Sequence, residues 1–383
     1  MATVSDIQDI VTNILVAQMW LPSIVSFFMC LVFVLLTPTL FTLFQRQEDA
    51  NAVQSAHEKP TLRIGGLGLL IGILSSIVIL NFTNDFVLYA SLLLCSAIPL
   101  ILAGFAEDIG YRVHPKIRLV SIALSSLLCT TVLQVSVTSI GVTLVDTALS
   151  YVLISIIFTI FAASGVTNAF NLIDGLNGLA SFTAITTAVA LSAIAMLSGM
   201  NYLQNFYTMI AIVTVGFFLL NYPFGRLFLG DGGAYLLGHC LVWGGITLAH
   251  EVPGVSAFAI LLIFFWPIAD TVLAIWRRMR LSRPADRPDR LHFHQLVMRF
   301  LEIRLLGRNR RQLANPLATL IIAPLIVAPQ ICGLIYAFDN KSAMIASGCF
   351  AVIFFMTYNL GMRLAQRTHK VATASTKPQI DEI

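Results

Sequence analysis

A series of long apolar runs, separated by short polar segments, constrains this chain most strongly. The 383-residue sequence is 57% hydrophobic and only 11% charged, a balance that ordinary water-soluble globular domains do not have. Runs of about 20 apolar residues are long enough to cross a bilayer as helices. The sequence therefore predicts an all-α fold, a polytopic transmembrane helical bundle.

About eleven spans are predicted, and the first apolar run is expected to be retained because the first eighteen residues lack the Lys and Arg of a signal peptide. We divide the chain into an integral membrane catalytic domain with cytoplasmic active-site loops, 1–364, and a disordered cytoplasmic tail rich in Thr, Lys and Ser, 365–383. The spans are predicted at 19–44, 64–82, 86–105, 117–135, 148–166, 179–197, 206–222, 234–249, 255–276, 317–338 and 343–362.

The basic residues segregate by loop. Of the 23 Lys and Arg residues, all but Lys341 fall in alternate loops and the C-terminal tail. The positive-inside rule places such loops in the cytoplasm, so the N-terminus is predicted to be periplasmic and the C-terminus cytoplasmic. The same partition puts every unusual polar motif on the cytoplasmic face, which indicates an active site there.

The first motif, Asn168–Gly178, is a polar island between two apolar runs. Its Asn and Asp residues recur every third position, so one straight helix cannot direct all of them to the same side. The glycines suggest that a helix ends or restarts here. One interpretation is that these side chains only join membrane helices by hydrogen bonds; the other is a functional site around the carboxylate of Asp174.

The segment Gly104–Arg118 combines adjacent carboxylates, Glu107 and Asp108, with several cations. Carboxylates attract Mg²⁺, which commonly takes one or two of them and leaves other positions to water and phosphates. Cations attract phosphate. The alternative is an ordinary charged loop between two spans.

A Gly-rich turn places Asp231 among glycines just before another apolar run. Such a turn entering a helix offers free N–H groups to a phosphate, while the carboxylate can hold a bridging metal. The same residues also form commonplace turns.

The largest cytoplasmic loop carries His292 and His294 among eleven Lys and Arg residues. Most of these arginines are expected to anchor the loop to anionic lipid. The histidines could contact phosphate or transfer protons; zinc ligation would lack a third and a fourth ligand.

In order and in sidedness, three motifs resemble the polyprenyl-phosphate N-acetylhexosamine-1-phosphate transferase family, which includes the enzymes that initiate enterobacterial common antigen and O antigen and the peptidoglycan translocase. The motifs are Asn168–Leu179, Phe228–Gly233 and Arg290–His294, and the resemblance spans roughly 60–295. It implies transfer of an amino-sugar 1-phosphate from a UDP-sugar, such as UDP-N-acetylglucosamine, to undecaprenyl phosphate with release of UMP. The span count resembles the antigen-initiating branch.

The resemblance also implies cofactors, partners and site residues. The expected ion is Mg²⁺, with Mn²⁺ as the alternative, and the expected location is the bacterial inner membrane. The expected partners are the UDP-sugar, undecaprenyl phosphate and membrane lipids, not nucleic acid, with a homodimer as one option. Catalytic roles fall to Asp108, Asp174, His292 and His294, metal ligation to Asp231 and Asp108, and substrate contacts to Lys59, Arg63, Glu107, Lys116, Asn168, Asn171, Asn177, Asn221, Phe228 and Arg290.

Three positions depart from the family pattern: Glu107, Asn177 and Gln295 stand where many members have Asp, Asp and His. They fit either a different sugar preference or altered metal dependence.

Two other classes of function remain open at this stage. Pro267 and Asp270 inside the ninth predicted span resemble the broken helix and intramembrane carboxylate of an ion-coupled secondary transporter. A membrane scaffold without activity is the third option.

Overall fold

The computed structural model describes residues 4–44, 61–79, 83–280, 292–307 and 310–375. Within these ranges the regular structure is helical and contains no strand, which confirms the all-α prediction. The helices are α1 (Val4–Leu35), α2 (Thr37–Phe44), α3 (Gly65–Ile79), α4 (Asn84–Ser96), α5 (Ile98–Asp108), α6 (Pro115–Leu133), α7 (Thr143–Leu149), α8 (Val152–Leu172), α9 (Leu179–Leu197), α10 (Asn201–Asn221), α11 (Gly230–Glu251), α12 (Ala257–Ile263), α13 (Phe265–Arg280), α14 (Phe293–Leu301), α15 (Arg311–Ile335) and α16 (Asn340–Ser375).

Seven of the described helices are long and apolar enough to cross a membrane, and two bent helix pairs raise the count to nine. Two shorter apolar helices, Trp20–Leu35 and Gly65–Ile79, lie in the first two predicted spans. With them the total would be eleven. A polytopic membrane bundle is therefore confirmed, whereas the count of eleven stays a prediction.

Helix α11 forms the centre of the bundle. It packs against α3, α5, α8 and α9, and 94% of its apolar window is buried. Its close approach to α5 depends on Gly104, because a Cβ there would lie 2.5 Å from Gly232 Cα. Small residues bring membrane helices together in this way. The N-terminus of α11 is thereby fixed against the C-terminal end of α5.

Two of the predicted spans are bent. The bend is 54° between α4 and α5 and 81° between α12 and α13. Pro99 and Pro267 lie in the first turns that follow the two breaks, and proline cannot donate the backbone hydrogen bond that would continue a helix. Beyond its bend, α13 packs against α8, which ends in the polar island.

The last helix, α16, covers the segment of the predicted histidine motif. Phe293 lies 5.3 Å from Trp266, 5.1 Å from Phe354 and 6.2 Å from Tyr358 between ring centroids. The helix continues to Ser375, so the predicted start of a disordered tail at 365 does not coincide with a helix end. The residues after 375 lie outside the described part, and the two-part division of the chain stays a prediction.

Candidate active site

The site is built around the N-terminus of α11. Gly230 opens the helix with φ of +78°, and a Cβ there would lie 2.1 Å from Arg63 O and 2.5 Å from Asp108 Oδ2. Only glycine combines this left-handed backbone with so close an approach. The Gly-rich turn is therefore a structural requirement of the site as well as a phosphate-binding candidate.

Asp108 is 3% exposed and caps this helix end. Its Oδ1 accepts a hydrogen bond from Asp231 N and its Oδ2 one from Gly232 N, both at 2.8 Å. A carboxylate at this position satisfies free N–H groups and interacts favourably with the helix dipole. The neighbouring Glu107 instead accepts a hydrogen bond from Val113 N at 2.8 Å and stabilises the turn that follows α5.

Asp231 lies between two guanidinium groups. Arg63 Nη2 donates to its Oδ1 at 2.8 Å, and Arg118 Nη1 donates to its Oδ2. Arg63 Nε also lies 3.9 Å from Asp108 Oδ1. Two cations, one from α6 and one from the segment before α3, therefore converge on one buried carboxylate, and such charge-assisted hydrogen bonds are stronger than neutral ones.

Lys116 and Arg118 lie on different faces of α6. The sequence analysis selected Lys116 as a substrate contact and did not select Arg118. Lys116 is exposed, whereas Arg118 is partly buried and contacts Asp231. The helix begins at Pro115, and residues two apart on a helix point about 200° away from each other. Pro115 marks the start of the helix, and with that start known the helical phase could have separated Arg118 from Lys116.

The polar island breaks as predicted: α8 ends at Leu172, α9 begins at Leu179, and Gly178 has φ of +78°. Asp174 lies in the turn between them. Loss of surrounding water raises the pKa of its carboxyl to about 7; the charge of Asp231 adds to the rise, while Arg63 and the Gly230 N–H oppose it. Asp174 therefore belongs to the same group of charges as Asp231.

The asparagines of the island divide into two kinds. Asn168 and Asn171 occupy the last turn of α8 and are partly exposed, and the buried Nδ2 of Asn171 has no hydrogen-bond partner among the described residues. A buried donor without a partner needs an explanation, and a ligand contact is one candidate.

Asn177 and Asn221 instead connect polypeptide segments. Asn221 Oδ1 accepts from Gly178 N at 2.6 Å and its Nδ2 donates to Leu227 O at 2.8 Å. Asn177 Nδ2 donates to Pro223 O at 2.8 Å, while its own backbone N–H bonds to Asn315 Oδ1 at 2.7 Å. A direct contact of either side chain with substrate stays a prediction, and both amides already bind protein groups.

Phe228 lies in a short extended pairing beside the site. Its backbone N donates to Leu62 O and its O accepts from Gly65 N, both at 2.9 Å, while the residue as a whole is partly exposed. Lys59 and Arg290 lie outside the described residues.

The histidine motif is held by a residue that was not predicted for this site. His292 Nδ1 lies 3.0 Å from Asp270 Oδ2, Phe293 N donates to Asp270 Oδ1 at 2.9 Å, and His294 Nδ1 lies 3.3 Å from Oδ2. Burial lowers the pKa of His294, against the effect of Asp270. Among the described residues, Asp270, His292 and His294 form the group whose ligand atoms all lie within 4.8 Å of one another.

The carboxylates of Asp174 and Asp231 fit Mg²⁺ in the chemistry of their donor atoms. Their ligands are carboxylate oxygens, which Mg²⁺ prefers, and two carboxylates are sufficient when substrate phosphates and water complete the shell. With Asp108 they do not form a closed cluster among the described residues comparable to the Asp270 group. The residues therefore fit an ion that is bound together with a phosphate substrate.

Comparisons with known proteins show which family this chain is similar to. A model of glycosyl transferase family 4 matches residues 89–249, which contain Asp108, Asp174 and Asp231. The chain is 26% identical over 256 residues to the probable undecaprenyl-phosphate N-acetylglucosaminyl 1-phosphate transferase of Bacillus subtilis (strain 168), covering 66% of this chain and 70% of that protein.

Two further relatives have similar descriptions. The undecaprenyl-phosphate alpha-N-acetylglucosaminyl 1-phosphate transferase of Escherichia coli (strain K12) is 27% identical over 285 residues, 70% of this chain and 76% of that protein. The decaprenyl-phosphate N-acetylglucosaminephosphotransferase of Mycobacterium tuberculosis (strain ATCC 25618 / H37Rv) is 28% identical over 276 residues, 64% of this chain and 67% of that protein. These similarities confirm the predicted resemblance of the chain to the polyprenyl-phosphate N-acetylhexosamine-1-phosphate transferases.

Proposed function

We propose that this protein transfers an N-acetylated amino-sugar 1-phosphate from a UDP-sugar to undecaprenyl phosphate, giving undecaprenyl-diphospho-sugar and UMP. The observation that carries the proposal is the convergence of Arg63 and Arg118 on Asp231 at the N-terminus of α11. Cations, a carboxylate and a helix N-terminus are the elements that bring two phosphate groups together. The names of the relatives supply the substrates.

The reaction we propose is a single displacement. An oxygen of the lipid phosphate attacks the β-phosphorus of the UDP-sugar, a new P–O bond forms, and the bond to the α-phosphate oxygen breaks to release UMP. The attacking oxygen is already anionic at neutral pH, so positioning and charge neutralisation account for most of the catalysis. No covalent intermediate with the protein forms.

Within this reaction, Arg63 and Arg118 would move part of their interaction from Asp231 to the phosphates as the substrates enter. The predicted metal ligands, Asp231 and Asp108, would hold Mg²⁺ together with the nearby Asp174, with Mn²⁺ as the alternative ion, and the metal would supply neutralisation of diphosphate charge. Asp108 would also orient the α11 N-terminus through its two backbone hydrogen bonds, and its contact with the lipid phosphate stays a prediction. The general metal dependence of the family supports this assignment.

The substrate contacts follow from the remaining positions. Phe228 would stack on uracil, Asn171 would contact the nucleotide, and His292 and His294 would bind the diphosphate. The other predicted contacts, among them residues outside the described part, would line the entrance: Lys59, Glu107, Lys116, Asn168 and Arg290.

We further propose that the chain crosses the bacterial inner membrane about eleven times, with a periplasmic N-terminus and a cytoplasmic active site. The distribution of Lys and Arg supports this orientation. The product would serve the first membrane step of O-antigen or related cell-surface polysaccharide assembly, with N-acetylglucosamine as the first sugar to test. A homodimer would leave each active site complete, because all of these groups come from one chain.

A secondary transporter was suggested by the carboxylate of Asp270. In the structure that carboxylate binds the histidine segment, so it already has a role that transport does not require.

The experiment is to supply purified protein with undecaprenyl phosphate, Mg²⁺ and a panel of UDP-N-acetylhexosamines and to measure UMP. One sugar that gives lipid-dependent UMP release identifies both class and substrate. Ion-coupled uptake into proteoliposomes without UMP release would favour the transporter.

A further inference from the structure

Asp270 is a fully buried carboxylate that the proposed chemistry does not use. It lies on α13, 22 residues before His292 in the chain. Its two oxygens accept from His292 Nδ1 and from Phe293 N, and Phe293 is the first residue of α14. A negative charge at that helix N-terminus is favourable. Asp270 therefore ties the start of α14 to α13.

The opposite side of the histidine segment lies against the turn of Asp174. A Cβ on Gly175 would lie 2.6 Å from His294 Nε2, and His294 is fully buried. The ring thus occupies the space that the missing side chain of Gly175 leaves. Because Asp174 precedes this glycine, the position of the histidine segment and that of the site carboxylate are coupled through one contact.

The geometry also determines which nitrogen of His292 can meet a ligand. Its described hydrogen bond uses Nδ1, which leaves Nε2 as the atom that can reach a phosphate. A carboxylate that binds one ring nitrogen fixes both the orientation and the tautomer of the ring. A buried carboxylate without such partners would be unfavourable, so each group stabilises the other.

We propose that Asp270 is a positioning residue: it holds the His292–His294 segment against the Asp174–Gly175 turn and presents His292 Nε2 to the diphosphate of the donor. The second half of this statement rests on the proposed function, since it takes the ligand to be a UDP-sugar. The first half concerns this chain alone and can be measured without turnover.

The structural half is tested by amide hydrogen exchange of the full-length protein, followed in the peptide that covers α14. Asp270→Asn retains the volume but can accept only one of the two hydrogen bonds, so exchange there should be roughly 10- to 100-fold faster. The matched control is Asp146→Asn, because Asp146 also accepts two backbone N–H bonds, from Ile140 and Gly141, far along the chain from this segment. That variant should leave α14 exchange unchanged.

A second set of variants tests the contact with the turn. Gly175→Ala should also accelerate exchange in α14, because its Cβ would displace His294. In the His294→Ala background the same glycine change should add nothing, since the ring is gone. An equal effect of Gly175→Ala in both backgrounds would overturn the contact, and unchanged exchange in Asp270→Asn would overturn the anchoring.

The functional half is read from steady-state kinetics. Asp270→Asn should lower kcat/KM for the UDP-sugar roughly 10- to 100-fold, as losses of orienting partners commonly do, while the KM for undecaprenyl phosphate stays within about twofold. An equally large change in the KM for undecaprenyl phosphate would reduce Asp270 to a purely structural role. If the wild-type protein releases no UMP with any donor, the proposed function fails, whereas faster α14 exchange would still establish the anchoring.

Metal analysis provides the remaining outcome. Asp270, His292 and His294 could ligate an ion, so zinc would be measured in wild-type protein and in Asp270→Asn. We expect substoichiometric zinc in both. One equivalent in the wild type that disappears in the variant would replace the hydrogen-bonded arrangement with a metal site and overturn the proposal.

Discussion

Replacing Asp108 by asparagine tests whether this carboxylate orients α11 or takes part directly in the chemistry. In the structure both of its oxygens accept backbone hydrogen bonds, from Asp231 N and Gly232 N. An amide has one oxygen, so one buried N–H would face an NH₂ group. The variant should therefore lose stability as well as activity.

The magnitude follows from the interactions lost. A hydrogen bond to a charged acceptor contributes about 1.5–3 kcal/mol, and a negative charge at a helix N-terminus about 0.3–1 kcal/mol. The ordered N-terminus of α11 should thus be destabilised by about 2–4 kcal/mol. At 1.4 kcal/mol per factor of ten, its population relative to open states would fall roughly 30- to 700-fold.

The assay combines thermal unfolding in detergent with UMP release. Asp108→Asn should lower the melting temperature of the substrate-free protein and reduce turnover. Glu107→Gln is the matched control for the melting temperature, because the adjacent residue accepts one backbone hydrogen bond and a glutamine retains that acceptor. Turnover lost more than a hundredfold at an unchanged melting temperature would refute the capping role and make Asp108 a metal ligand or a base.

Three further changes test other parts of the site. Arg118→Ala should lower turnover at least roughly tenfold by removing one guanidinium partner of Asp231, whereas Lys116→Ala should lower UMP release less, because that side chain is exposed and does not contact Asp231; equal losses would contradict the assignment of the two residues to different faces of α6. Asn221→Ala should lower the melting temperature, because two buried backbone groups each lose a partner worth about 1–3 kcal/mol; a raised donor KM with unchanged melting would instead favour a uracil contact. The pKa of Asp174 rises from 3.8 to about 7 on folding, so the folded state binds the proton more tightly and stability should fall as pH rises through this window. Asp174→Asn should remove the contribution of this carboxyl to the fall in melting temperature between about pH 4 and 7. An identical pH dependence of the melting temperature in both proteins would exclude the raised pKa of Asp174.

The parts of the site that could be predicted are those that lie close together in sequence. The glycines around Asp231 and the polar residues around Asp174 interrupt apolar runs, and the charge distribution assigns both motifs to one face. Their convergence in space follows from the membrane, because loops on one side of a bundle share a thin layer. The break at the polar island could also be predicted, since Gly178 permits the left-handed backbone from which α9 starts.

Hydrogen-bond partners that lie far apart in the sequence could not be predicted in the same way. Asp270 was noticed as an intramembrane carboxylate, but its partners come after a long basic loop and depend on an 81° bend between α12 and α13. In the sequence, Asn177 and Asn221 cannot be told apart from ligand contacts, because an amide side chain can hydrogen-bond either a ligand or two backbone segments. Only three-dimensional placement separates these uses.

The central claim is that the carboxylate of Asp231 serves the transfer of a phosphate group to a lipid. The most direct measurement follows the label of a UDP-N-acetylhexosamine carrying ³²P at the β-position, with undecaprenyl phosphate and Mg²⁺, in wild type and Asp231→Asn. We predict that the wild type moves the label into the lipid phase with equivalent UMP release, that no label attaches to the protein, and that Asp231→Asn folds but transfers none. Transfer by Asp231→Asn within a few fold of wild type, or a labelled protein band formed without lipid, would contradict the account.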